Sequence, residues 1–218
     1  MSSSFLAERQ AVVDVCLRLA DAGYLAGTGG NVALRVDAEH FAVTPSAADY
    51  YATTPAQIAV LRLDTLAQVA GELPPSVESG LHATLLRARP ARPASVHTHQ
   101  PIASAVALTG RALPLRAAAD MADLGPSVEV VPYAPSGTGL LVRALRRRLR
   151  PGCHAYLLRN HGLVCSAASL ADAARLLGRI ETAAAAWLLE QGRTNAPQGP
   201  LRPFVEAALA PRLATSPD

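Results

Sequence analysis

The sequence predicts a mixed α/β domain, and three observations carry that expectation. Short alternating apolar runs, with the two-residue period of strands, are interleaved with longer runs at helical spacing. The 218 residues are 50% apolar and 17% charged, enough chain for one core that buries roughly 70% of the unfolded surface. No internal repeat and no linker divides the chain, so residues 1–218 read as one domain with a proline-rich tail over 193–218.

Residues 5–22 have a helix pattern, with Val12, Val13, Cys16, Leu17 and Ala20 on one stripe and Gly23 as its stop. The glycine-rich turn Gly27-Thr28-Gly29-Gly30-Asn31 feeds an alternating strand over 32–36. A second strand over 41–44 halts at Pro45, and 58–63 predicts a third, with 65–70 as its hairpin partner. Pro74 and Pro75 punctuate, and Ser76 opens a helix through Leu86 that must end by Pro90. Residues 94–99 form a strand, and Pro101 starts a helix over 102–108. Then come a strand over 128–133 and a helix over 138–149, closed by Pro151 and Gly152. Strands over 155–158 and 163–165 flank the turn Asn160-His161-Gly162. Ser169 caps a long helix to about Gln191, with Asp172 at the capping-box position and Gly192 past its end. The tail from Arg193 is expected to be partly mobile, with 204–209 docking as a short helix.

Composition excludes several chemistries. All 20 basic residues are arginine. There is therefore no Schiff-base lysine, no pyridoxal-phosphate lysine and no Walker-type phosphate loop. A carbonyl activated here needs a metal, an oxyanion hole or an acid. No apolar run is long enough to span a membrane, and the start lacks the basic region and apolar core of a secretory signal. The three scattered cysteines read as buried thiols of a reducing cytoplasm, not a disulfide framework. A net charge of +3 is a weak argument for nucleic acid. The basic run 143–150 reads as the outer face of an amphipathic helix whose inner face is Leu141, Leu145 and Leu149.

Histidine is the informative residue. His97 and His99 stand two apart on a strand, so both imidazoles leave the same face near its end. Neutral imidazoles at that spacing converge on one divalent ion about 2.1 Å from each nitrogen. A third ligand must come from elsewhere. His161 sits in a tight turn, and His40, His82 and His154 compete with it. His82 stands four residues after Glu78, which explains it as a Glu–His contact on one helix face. Glu78 is the candidate carboxylate, in the first turn of its helix, where the dipole favours the ionised form. Ser76 and the amides around it, with the Gly27–Asn31 turn, offer donors to an anion.

Five blocks in order resemble the class II aldolase/adducin family. They are Gly27–Val32, Thr44-Pro45-Ser46, Pro75-Ser76-Val77-Glu78 with Leu81-His82, His97-Thr98-His99, and Asn160-His161-Gly162-Leu163. Within it the blocks are similar to the fuculose-phosphate-type aldolases, with epimerases, dehydratases and decarboxylases of sugar phosphates as relatives. The resemblance implies a three-layer α/β/α fold with a mainly antiparallel central sheet. It implies one Zn²⁺ per subunit on His97, His99 and His161 to stabilise an enediolate, with Glu78 beside it as the acid/base that moves the proton. It also implies a phosphate cup from Gly30, Asn31, Ser46, Ala47, Ser76 and Val77, and a homotetramer with active sites at subunit interfaces. The expected reaction is the making or breaking of a carbon–carbon bond in a ketose 1-phosphate. Alternatives are epimerase, dehydratase or decarboxylase chemistry, or an adducin-type interaction domain without activity. Two departures stand out. Val77 occupies the place of a second serine, and the stretch 113–125 has no tyrosine to protonate the leaving aldehyde. Asp120 and Asp123 are its carboxylates, and from a neighbouring subunit they would fill that role.

Overall fold

The computed structural model describes residues 5–25, 27–195 and 202–214. Among them a single sheet runs β4-β3-β2-β1-β5-β9-β8-β7-β6. Its strands are β1 (Asn31–Arg35), β2 (His40–Val43), β3 (Ala59–Arg62), β4 (Gln68–Ala70) and β5 (Ala94–Thr98). The remainder are β6 (Leu113–Pro114), β7 (Ser127–Val131), β8 (Ala155–Leu158) and β9 (Gly162–Ala167). Every pair is antiparallel except β7 with β8, so the mainly antiparallel expectation stands.

Strand alternation explains the layering. Val32, Ala42, Val60, Val96, Leu157 and Cys165 face one apolar cluster, which α1 (Leu6–Asp21), α3 (Pro101–Thr109) and α6 (Leu170–Asn195) complete. Their sequence neighbours Ala33, Phe41, Val43, Leu61, Tyr156 and Val164 face the other side, under α2 (Ser79–Ala88) and α5 (Gly139–Arg148). A sheet apolar on both faces needs helices on both faces, and three layers result. On α5, Leu141 and Leu145 are buried while Arg143 and Arg146–Arg148 stay exposed, as the amphipathic pattern requires. Trp187 packs into the α6 face beneath the Arg111 guanidinium, 5.3 Å from the ring centre. Cys16, Cys153 and Cys165 are free and buried, and no described helix is long and apolar enough to cross a membrane.

Three expectations are corrected. The helix opened by Ser76 begins at Ser79, because Ser76 N donates to Thr44 O and Pro45 bridges Pro75, which keeps 74–76 extended. Glu78 is therefore the residue before the helix, not part of its first turn. The last long helix does not stop at Gly192 but continues to Asn195. Glycine in a helix costs only about 1 kcal/mol, and packing of α7 (Arg202–Ala214) against α6 outweighs it. The tail from Arg193 is thus largely helical among the described residues, and 196–201 and 215–218 lie outside them. Strand β6 and helix α4 (Ala118–Leu124) had no forecast, being too short to show a period.

Candidate metal centre and acid/base site

The site forms where β1, β5 and the β8–β9 turn meet. Asn31 pairs with His97 across β1 and β5, and His97 with Val164 across β5 and β9. Ser95 and His97 leave β5 on the face opposite Val96, toward α2. At the β8–β9 turn Asn160 takes a φ of 57°, and Gly162 starts the returning strand. A β-carbon on Gly162 would stand 2.3 Å from Thr98 O and 2.9 Å from His99 Cδ2. Only glycine lets this turn close on the histidine pair.

That approach assembles three imidazoles. His97, His99 and His161 have ligand atoms within 4.8 Å of one another, and their rings lie 4.6–5.0 Å apart. His97 Nδ1–H donates to Leu163 O at 2.8 Å, which leaves the Nε2 lone pair facing His99 Nε2 at 2.9 Å. Burial, reinforced by the neighbouring imidazoles, pushes His97 down to about 3 despite the opposing Glu78 charge. Burial also lowers His99. A neutral imidazole with its Nε2 lone pair turned inward, as at His97, is the ligand state that a divalent metal requires.

Glu78 lies across this group. Its Oε2 is 3.3 Å from His97 Nε2 and its Oε1 is 3.6 Å from His161 Nε2. Asn31 Nδ2 donates to Oε2 at 2.9 Å and Ser136 Oγ to Oε1 at 2.8 Å. Burial works against the charge, but the hydrogen bonds from Asn31 and Ser136, with the polar imidazoles alongside, outweigh it. The carboxyl is therefore held below its usual range.

His82 is not a fourth imidazole of the group, and its ring does not bond the Glu78 carboxylate; the two meet only through the backbone, where His82 N donates to Glu78 O at 3.4 Å. Its Nε2 meets Asn31 Oδ1 at 2.6 Å and its Nδ1 meets Ser95 Oγ at 2.7 Å. Asn31 stands between Glu78 and His82, replacing the direct contact expected from their spacing. His40 pairs with Asp37, and His154 lies toward Arg92 and Arg89.

The cup residues converge by backbone pairing. Val32 and Thr44 exchange bonds, Ser46 N donates to Pro74 O, and Glu78 N donates to Ser76 Oγ at 3.2 Å. Gly30 has a φ of 83° and no room for a β-carbon beside His97 O and Leu25. Ala47 has a φ of 52°, and Ser46, Ala47 and Val77 are exposed around the buried Ser76. Asp120 and Asp123 are elsewhere within the chain, on α4. Arg179 of α6 grips them at 2.5 and 2.6 Å, and Arg175 reaches Asp123 at 3.5 Å. Two contributors escaped the sequence reading. Ser136 lies in an irregular loop without a motif. Glu181 is a buried α6 residue that accepts from Ile102 N, Ala103 N and Gln100 Nε2, and so caps α3 directly after the histidine strand.

The Class II Aldolase and Adducin N-terminal domain family matches residues 10–188. The chain belongs to that family. It is 34% identical over 175 residues to the 5-deoxy-D-ribulose 1-phosphate aldolase of Bacillus thuringiensis serovar kurstaki, covering 80% of this chain and 81% of the relative. It is 26% identical over 193 residues to the 3-oxo-tetronate 4-phosphate decarboxylase of Haemophilus influenzae, covering 86% and 90%. A solved L-fuculose 1-phosphate aldolase superposes with a TM-score of 0.80 at 26% identity, covering 97% of both chains. Aldolase-named and decarboxylase-named proteins thus both resemble this chain.

Proposed function

We propose that the protein is a zinc-dependent class II aldolase that cleaves or forms a carbon–carbon bond in a ketose 1-phosphate. The observation that carries the reading is the placement of the Glu78 carboxylate between His97 Nε2 and His161 Nε2, at 3.3 and 3.6 Å. His97, His99 and His161 suit Zn²⁺, since three neutral nitrogen donors leave a position for substrate. Bound there, the metal supplies Lewis acidity to a carbonyl oxygen, in place of the lysine that this chain lacks.

Glu78 removes and returns the proton beside that carbonyl. The backbone amides of Gly30, Asn31, Ser46, Ala47, Ser76 and Val77, with the Ser76 hydroxyl, hold the phosphate. Asp120 or Asp123 of a neighbouring subunit serves the aldehyde oxygen in a homotetramer. Free buried thiols fit a reducing, cytoplasmic setting.

One observation favours a second reading. Both aspartates are bound by Arg179, whose hydrogen bond holds the Asp123 carboxyl below its usual range and disfavours it as a proton donor, and decarboxylation needs no aldehyde-side acid. The test is paired and uses zinc-loaded protein. Deuterium exchange into dihydroxyacetone phosphate reads the Glu78 half-reaction, and aldehyde release from 5-deoxyribulose and fuculose 1-phosphates reads cleavage. Exchange with cleavage supports the aldolase. Neither activity, with CO₂ released from 3-oxo-tetronate 4-phosphate, overturns it in favour of the decarboxylase. A folded protein that takes up no zinc supports the adducin-type interaction domain instead.

A further inference from the structure

We propose that Ser136 is a positioning residue for Glu78, and that the loop between β7 and α5 clamps the acid/base from the side opposite Asn31. The inference rests on the function proposed for Glu78, and it concerns a residue to which no motif pointed. A carboxylate next to three imidazoles has several rotamers available, and its two oxygens are chemically alike. Here they are made unlike. Asn31 Nδ2 fixes Oε2 at 2.9 Å, from a strand of the sheet. Ser136 Oγ fixes Oε1 at 2.8 Å, from an irregular loop. With both oxygens held, the plane of the carboxylate is set against His97 and His161 before any substrate arrives, which is the preorganisation that proton transfer rewards.

The loop is placed for this by a second contact. Gly137 has a φ of 69°, and a β-carbon there would meet Val77 Cγ2 at 3.1 Å and Val77 Cβ at 3.2 Å. Val77 is the immediate neighbour of Glu78 and is 67% exposed. The chain at 136–137 therefore grips 77–78 at two points, one polar and one apolar. Thr138 completes the anchor, since its Oγ1 donates to Pro135 O at 2.6 Å and its carbonyl accepts the first bonds of α5. The valine that stands where a second serine was expected thus has a use in this chain. It provides the apolar seat for Gly137.

Ser136 is itself exposed, so its removal leaves the core intact. The experiment compares wild type with Ser136→Ala, Ser136→Thr and Gly137→Ala. In Ser136→Ala the thermal midpoint is expected to stay at the wild-type value, and zinc affinity, measured by chelator competition, within twofold of it. Its kcat for deuterium exchange into dihydroxyacetone phosphate should fall about tenfold at constant KM, the kinetic equivalent of about 1.4 kcal/mol. Ser136→Thr, which keeps the hydroxyl, should recover most of that loss. Gly137→Ala, which pushes the loop off Val77, should reproduce it. A crystal structure of Ser136→Ala should show Glu78 in a second rotamer. Unchanged kcat in Ser136→Ala, or failure of Ser136→Thr to rescue, overturns the positioning role. Should wild type itself catalyse no exchange, the function proposed for Glu78 fails, and the crystal structure alone decides the clamp: an unmoved Glu78 carboxylate refutes it.

Discussion

His82 Nε2 lies 2.6 Å from Asn31 Oδ1, and this one bond settles the direction of a hydrogen-bond chain from Ser95 to Glu78. Asn31 gives its amide hydrogens to Glu78, so its oxygen is left as acceptor and His82 must be the donor at Nε2. Nδ1 of His82 is then an acceptor, and the Ser95 hydroxyl donates to it at 2.7 Å. Four buried side chains are satisfied in one sense only, and a neutral His82 is a condition of it.

That condition makes stability depend on pH. Burial takes His82 from 6.5 down to about 4, with Glu78 opposing the shift. Between those values the unfolded chain holds a proton at His82 that the folded chain refuses. Stability is therefore full above pH 6.5 and falls as pH drops toward 4, by about 3 kcal/mol across the window. Urea unfolding of wild type and His82→Gln should differ in pH slope in this range, wild type being the steeper. Parallel slopes would contradict the assignment.

Gly162→Ala should damage the metal centre through the backbone alone. The added carbon meets Thr98 O and the His99 ring, so the turn must retreat and carry His161 with it. Zinc affinity is expected to fall about 10–100-fold, the usual effect of disturbing the support of a ligand. Isothermal titration reads this directly, and wild-type affinity would mean that the turn does not position the third imidazole.

Glu78→Gln keeps the shape and lets its amide oxygen still accept from Asn31, so zinc and substrate should bind normally. Turnover should drop by about 10²–10⁴, the range for losing a general acid–base group. An unaltered rate moves that role elsewhere, first to Asp120 or Asp123.

Glu181→Ala should unfold more easily without any change in the ligand set. The carboxylate, 1% exposed, takes bonds from Ile102 N, Ala103 N and Gln100 Nε2. Stranding those donors at the start of α3 should cost about 3 kcal/mol. Denaturant melts with and without zinc test it. A loss under 1 kcal/mol would mean that water replaces the cap.

By itself the sequence determined whatever has a short period. Alternation at two residues put His97 and His99 on one face of their strand, whereas the three layers were implied by the resemblance and not by any period. Helical spacing determined the buried side of α5. Order and spacing of five blocks carried the family. Tertiary structure alone decided the relations between segments that no period connects. His161, more than sixty residues from His97, reaches it because the β8–β9 turn closes on a glycine. Glu78 and His82 share a helix spacing, yet Asn31 from β1 stands between them, because strand pairing puts Asn31 opposite His97. Ser136 and Glu181 carried no signal, since a hydroxyl in a loop and a carboxylate on a helix are ordinary until the chain brings a partner. Asp120 and Asp123 were expected on the aldehyde side of a neighbouring subunit's site, and packing of α4 on α6 puts both against Arg179 of their own chain. Backbone sterics act over a few residues and are written locally, whereas these contacts depend on how distant elements pack.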